Sequence, residues 1–383
     1  MTKYDLIVVG GGVMGTFCAY HALRKGKSVL LLEKDAQPYA ASFRNFGQVV
    51  PSGQALDEWF DYGRKSLEIY GSIQAVTDIS MVQKGSWYYA SDEDELMLLE
   101  EIAVLFAERN YPCSLHTAAE CLVLNPSLNK DYVKGGLFCS AEASVNPLVL
   151  THRLRSFLIE HLGLHYQSLS AVNGITQQNG INKVSTASNQ HYFADKVIVA
   201  NGKDTQFLFP EHYPSEDLKI SKLQMLRLSP QRRVFESNVL TGLTIRRYDS
   251  FKSCPSFSSI NTSAEQQLLQ SYGMHILFKQ AQDGSIILGD SHEYVPAHHQ
   301  ADFGFELNTA INELMLNEAK RIAHLDNWQV SASWAGFYMQ GTNTEVFTKT
   351  IDESIHIVNG IGGKGMTTSA GFTASFIEQC YQQ

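Results

Sequence analysis

Gly10-x-Gly12-x-x-Gly15 and Glu33 are the residues of this chain whose types and spacing most directly suggest chemistry. A turn rich in glycine lets a backbone approach a pyrophosphate, and a carboxylate at the end of the next strand accepts hydrogen bonds from ribose hydroxyls. Gly10 permits the turn, Gly12 opens the approach, and Gly15 lets the following helix pack against the strand. That helix would present its free amide N–H groups to the anion, with Val13 and Met14 in its first turn. Glu33 would repel a ribose 2′-phosphate, which favours FAD or NAD over NADP, and Lys34 beside it is a further candidate cofactor contact. A second glycine run, Gly360-x-Gly362-x-x-Gly365, lies too near the C-terminus to begin another dinucleotide unit, since a βαβ unit needs about 30 residues. It reads instead as a loop entering a helix N-terminus, whose partial positive charge would stabilise a negative charge developing on a flavin.

These residues need particular elements to position them. Tyr4–Val9 reads as a strand, Val13–Lys25 as a helix and Ser28–Leu32 as a second buried strand, together a βαβ unit. Ala36–Val50 reads as loop and Trp59–Ile73 as helix, with a strand at Trp87–Ala90. Asp92–Asn110 reads as a surface helix, and Asn146-Pro147 opens another that runs to about His161. Strands are expected at Lys196–Ala200, Ser285–Gly289 and Ser354–Val358, and a final helix at Met366–Gln379. Met225–Phe278 alternates in short runs suited to an antiparallel sheet.

Composition removes several classes of function. The 383 residues carry a net charge of −9, which argues against nucleic-acid binding. Six scattered cysteines without a CxxC motif argue against a disulfide framework or a dithiol redox centre. No signal peptide or transmembrane run is evident, so the expected location is cytoplasmic. His161 and His165 stand four apart, but Gly163 lies between them and no HExxH glutamate is present, so no metal site is expected. His298-His299 reads as loop.

The order of motifs resembles the D-amino-acid-oxidase-like family of FAD enzymes, which includes glycine oxidase, sarcosine oxidase and D-amino-acid dehydrogenases. The resemblance rests on VVGGGVMG with Glu33, the loop Ala41–Gly47, Val197–Gly202, Gly289-Asp290, Ser333–Gly336 and the terminal glycine loop. It implies an α/β fold in which a Rossmann-like FAD-binding domain (1–80, 145–215 and 341–383) is interleaved with an α+β substrate domain built on an antiparallel sheet (81–144 and 216–340). It also implies FAD contacts from Ala41, Ser42, Asn45, Gly47 and Gln48 along the pyrophosphate and the ring system. Val172 would hold the adenine, Ala200 and Gly202 would lie close to the dinucleotide, and Gly336 of the Trp-Ala-Gly motif, like Gly15, is also expected to contact the cofactor. Gly362, Gly363, Lys364, Gly365 and Met366 would meet the flavin's pyrimidine edge. No His or Cys tether is apparent, so the FAD is expected to be non-covalent.

Departures from the family bear on the substrate. Glycine-oxidase-like relatives place a carboxylate-clamping arginine where this chain has Tyr338, and two other substrate-facing positions fall on His275 and His292. Ile287 and Leu288 stand where sarcosine-oxidase-like enzymes carry an oxygen-activating lysine, with Lys364 and Lys279 as candidate replacements. Arg44–Gly47 and GGKGMT resemble a branch linked with aminophosphonate breakdown, and Arg44, Arg246 and Arg247 are cations that could serve such a substrate. The implied activity is oxidation of the C–N bond of a small amine by hydride transfer to flavin N5, with His292 as base and His275 and Tyr338 beside it. Oxygen or another carrier would be the electron acceptor, and the oligomeric state is left open. The alternatives are a glycine-, sarcosine- or D-amino-acid-type oxidase or dehydrogenase and, more remotely, a flavin-binding protein without turnover.

Overall fold

The computed structural model describes residues 3–213 and 217–382. Buried apolar runs alternate with helices at the N-terminus, and the chain there forms a parallel sheet. In that first sheet the strands Ile355–Asn359, His191–Val199, Lys3–Val9, Val29–Leu32 and His165–Gln167 lie side by side and parallel, in that order. Phe347–Ile351 adds to one edge antiparallel, and a hairpin of Val172–Gln178 and Ile181–Thr186 pairs onto His191–Val199. Helices Val13–Arg24, Pro147–Leu162 and Gly365–Gln382 share one core with Leu6, Val8, Leu31 and Ile198 of this sheet. Gly371 explains how closely the last helix packs: a Cβ there would lie 2.1 Å from the carbonyl oxygen of Tyr62 in helix Glu58–Gln74.

The second sheet is mostly antiparallel. Its order is Glu293–Pro296, Leu218–Leu228, Ile286–Gly289, Leu277–Gln280, Asn238–Thr241, Ser86–Ala90, Gly135–Cys139 and Cys113–Thr117, with Val330–Gly341 also paired to Leu218–Leu228. Each sheet therefore collects segments distant in sequence, and the proposed boundary between 215 and 216 falls outside the described residues.

Two expectations need correction. Met225–Phe278 is not uniformly antiparallel strand: it contains the helices Gly242–Ile245 and Ala264–Ser271, and Asn238–Thr241 pairs parallel with Ser86–Ala90. Ser263 and Gln266 form a capping box that starts the second of these helices, a local signal stronger than the alternation. Helix Glu93–Glu108 is also more than a surface element. Leu98, Leu99, Ile102 and Phe106 are fully buried against Phe60, Tyr88 and Phe251, so one face belongs to the core.

Candidate active site

A cavity of about 1050 Å³ runs between the two sheets. Its wall includes Gly10, Gly12, Val13, Met14, Glu33, Lys34, Ala41, Ser42, Asn45, Gly47, Gln48, Val172, Ala200 and Gly202. It continues through Gly362, Gly363, Lys364, Gly365 and Met366 to His275, His292 and Tyr338. Gly15 and Gly336, both expected as cofactor contacts, lie off this wall. Gly15 faces the backbone, where a Cβ would lie 2.0 Å from the Gly10 carbonyl oxygen, and one on Gly336 would lie 2.5 Å from that of Arg44. Their job is close packing behind the wall.

At one end the strand Lys3–Val9 ends at Gly10, whose φ of +107° suits glycine. Glu33 closes the next strand. One carboxylate oxygen accepts from Gly11 N–H at 2.8 Å and the other from Asp35 N–H at 3.0 Å. Each oxygen keeps a further lone pair, so the carboxylate can still receive ribose hydroxyls. Gly12 begins helix Val13–Arg24 without a side-chain cap, and the Val13 N–H instead reaches across to Ser42 Oγ at 2.9 Å. The helix N-terminus thus faces the cavity as an anion site, flanked by the Ala41–Gln48 loop.

In the middle of the cavity, Asn45 fixes that loop by donating to Ala41 O at 2.9 Å and accepting from Gly47 N–H at 2.8 Å. Asn359 Oδ1 accepts from Gly202 N–H at 2.9 Å, which ties the terminal glycine loop to Val197–Gly202. The Nε2 of Gln48 is buried on this wall with no hydrogen-bond partner. An amide donor left this way costs free energy unless a ligand accepts from it, and a flavin ring offers such acceptors. The uncapped helix, Glu33 and Gln48 together fit an FAD.

At the far end, strand Ile286–Gly289 delivers Asp290 and strand Leu277–Gln280 is preceded by His275. Asp290 Oδ1 lies 2.7 Å from His275 Nε2, a charge-pair distance, although off the line of a straight hydrogen bond. Burial alone would raise the Asp290 carboxyl, but His275, His292 and Arg247 together hold it below its ordinary value. His292 is pushed down to about 3, first by burial and then by Arg247, so it is neutral at working pH. Its Nδ1 lies 3.1 Å from the Gly273 carbonyl; that carbonyl assigns the proton to Nδ1 and leaves Nε2 as an acceptor. The two imidazoles stack at 5.4 Å, with Tyr248 and Tyr294 against their outer faces. Burial keeps the Tyr338 phenol protonated, and its oxygen faces Gly363, where a Cβ would lie 2.9 Å away.

The expected cations separate cleanly. Arg246 is buried in ion pairs with Asp92 and Glu95, and Arg44 turns to the Tyr39 and Ala335 carbonyls. Arg247 is the member of the three on the cavity wall, donating to the Tyr294 hydroxyl at 2.9 Å. Burial opposes its charge, yet Tyr294, Tyr338 and Asp290 more than offset that. Lys364 also lines the cavity but contacts Glu345.

Asp290 was not singled out from the sequence as a reacting group, although its place after the apolar run Ser285–Gly289 marks the strand end that exposes it. The donor atoms of His275, Asp290 and His292 lie within 4.8 Å of one another, close enough to hold a cation. Arg247, which acts on both Asp290 and His292, disfavours a second positive charge there. His161 and His165 do not share a helix face, because Gly163, at φ +73°, ends the helix between them.

No helix among the described residues is long and apolar enough to cross a membrane. An opine oxidase subunit of Rhizobium meliloti is 28% identical over 351 residues, covering 88% of this chain and 82% of that protein. Glycine oxidase from Geobacillus kaustophilus has the same fold at a TM-score of 0.78 and 16% identity, covering 100% of this chain and 95% of that one. The L-α-glycerophosphate oxidase of Mycoplasma pneumoniae, with FAD bound, matches at a TM-score of 0.77 and 16% identity, covering 100% and 96%. The family model for FAD dependent oxidoreductases matches residues 5–375, and the chain belongs to that family.

Proposed function

We propose that this FAD-dependent oxidoreductase oxidises the C–N bond of a small amine that also carries an acidic group, the aminophosphonates foremost. The carrying observation is the continuity of one cavity from Glu33 to the His275–Asp290 pair, with Arg247 on the same wall. Bound FAD supplies the acceptor for the hydride that leaves the amine's α-carbon. The chain's own groups do the rest. His275, held against the ionised Asp290, takes the proton of the incoming ammonium, because only a neutral amine can release the hydride. Neutral His292 accepts an N–H at Nε2 and orients the nitrogen; it does not itself hold the proton. This moves the role of base from His292 to the neighbouring pair. Tyr338 donates from the flavin side, and Arg247 with Tyr294 offers a cation and a phenol to the acidic group. Water then hydrolyses the imine.

The proposal also assigns residues 1–80, 145–215 and 341–383 to FAD binding and 81–144 and 216–340 to the substrate side, a division supported by membership of the two sheets. We place the FAD as non-covalent, since the cavity wall carries no cysteine among the described residues, and the enzyme in the cytoplasm, a setting suited to its unpaired cysteines.

A second reading has one observation in its favour. Arg247 is equally able to pair a carboxylate, which would make the substrate an amino acid of the glycine, sarcosine or opine kind. Anaerobic mixing with 2-aminoethylphosphonate, its N-methyl derivative, glycine, sarcosine and D-alanine separates the two. Loss of oxidised-flavin absorbance with the phosphonates first is the expected result. Bleaching by the carboxylates alone selects the second reading, and a flavin that no amine reduces refutes both. Admitting oxygen or a quinone afterwards identifies the acceptor by which one restores the colour.

A further inference from the structure

Lys279 is a buried cation that the proposed chemistry does not use. It lies on strand Leu277–Gln280 of the second sheet, opposite Ile287, yet its ammonium crosses to the first domain. There Nζ donates to the Phe46 carbonyl and, at 3.0 Å, to the Val145 carbonyl. Gly47 makes room for it: a Cβ at that residue would lie 2.7 Å from Nζ, and its φ of +77° suits glycine. The Gly47 carbonyl in turn accepts from Val145 N–H at 2.7 Å, and Gln48 pairs with Ser144. One ammonium therefore fastens two chain segments at the point where Phe46, Gly47 and Gln48 form the cavity wall.

Among the described residues no carboxylate pairs with Lys279, and the charged group acting on it is Arg227, of like sign. Burying such a charge without a counter-ion is costly, and apolar replacements at such sites are often more stable. Stability of the bare protein does not explain its presence. Beside it, Gln48 holds an unpartnered amide donor toward the cavity.

We propose that Lys279 is a positioning residue for the cofactor: its ammonium locks the Phe46–Gln48 segment so that the Gln48 amide is aimed at the flavin. The inference rests on the FAD reading and extends it to a residue outside the cavity. Burial and Arg227 lower the Lys279 ammonium to about 7, so the lock opens on the alkaline side of neutrality. FAD affinity should therefore weaken as pH rises from 6 to 9.

The test measures FAD dissociation constants by flavin fluorescence on stripped protein across that range, for wild type, Lys279→Met, Lys279→Arg and Gln48→Ala. Lys279→Met should bind FAD about tenfold more weakly at pH 6.5, with a flat pH profile, while the melting temperature of the stripped protein stays equal or rises. Lys279→Arg should keep much of the affinity and lose the alkaline weakening. In the Gln48→Ala background, Lys279→Met should add little. Wild-type affinity and pH profile in Lys279→Met, or full additivity with Gln48→Ala, overturns the inference. A wild-type protein that binds no flavin at any pH overturns the FAD reading along with it. Should Lys279→Met fail to fold, the pH profile of wild type against Lys279→Arg decides the matter.

Discussion

The two ends of the cavity are built in opposite ways. The nucleotide end is local: Gly10, Gly12 and Glu33 come from one βαβ unit, and on the proposed reading backbone amides would do most of the recognition. The reaction end is assembled from four separate segments, with His275, Asp290 and His292, Arg247, and Tyr338 each arriving from a different strand end or corner. Backbone recognition depends on conformation and tolerates many neighbouring side chains. Side-chain chemistry depends on the identity of each group and on the field its neighbours create. The difference predicts that damage at the far end abolishes turnover and spares the cofactor, whereas damage at the near end weakens cofactor binding and spares turnover once FAD is saturating.

The largest expected effect is at Asp290. On the proposed chemistry Asp290→Asn removes the anion that makes His275 a proton acceptor, and kcat/KM should fall about 10³-fold, within the range for losing a general base. FAD content, read from the visible spectrum, should stay at the wild-type level. An enzyme that loses its flavin on this change would erase the contrast between the ends.

Arg247 comes next. Arg247→Met should raise KM for an amine bearing a phosphonate or carboxylate about 100-fold, as expected when a charge-assisted pair is lost. An amine of similar size without an acidic group should be affected far less. Equal losses for both amines would return Arg247 to a structural role.

At the near end, Glu33→Gln keeps the shape but removes the charge that receives Gly11 and Asp35 N–H and would receive ribose. FAD affinity should drop about tenfold while kcat at saturating FAD is unchanged. Titration with FAD followed by assay separates the two quantities.

This contrast also decides how much was legible in advance. The parallel sheet, its helices and the nucleotide end could be read because Gly10–Gly15, Glu33 and the apolar runs around them lie within one local unit. The helix Ala264–Ser271 was missed because its start depends on the Ser263–Gln266 box while the surrounding residues alternate. At the reaction end, Tyr338, His275 and His292 could be placed only through the order of motifs, and Asp290 received no role. Its significance arises from His275, 15 residues earlier in the chain and 2.7 Å away in space. Arg246 and Arg247 are adjacent in sequence, yet one is spent in ion pairs with Asp92 and Glu95 while the other faces the cavity. Periodicity cannot distinguish them, because the corner after Gly242–Ile245 turns them in different directions.

The last expected effect is in acid stability rather than in binding or turnover, and it bears on the proton assignment itself. His292 is held to about 3 in the folded chain against an ordinary value of 6.5. Between those values the unfolded chain binds a proton that the folded chain refuses, so stability falls as pH drops below 6.5. Each unit of pH in that window costs about 1.4 kcal/mol from this one group. His292→Gln should therefore flatten the fall of melting temperature between pH 6.5 and 4.5. Part of the slope should persist, because His21 and His356, each held to about 4, respond with the same sign. Above pH 6.5 the variant and the wild type should run parallel. A variant whose acid slope matches that of wild type would mean that His292 takes up its proton in the folded protein as readily as in the unfolded chain. His292 would then be able to hold the amine's proton itself, and the division of labour between His292 and the His275–Asp290 pair would have to be reversed.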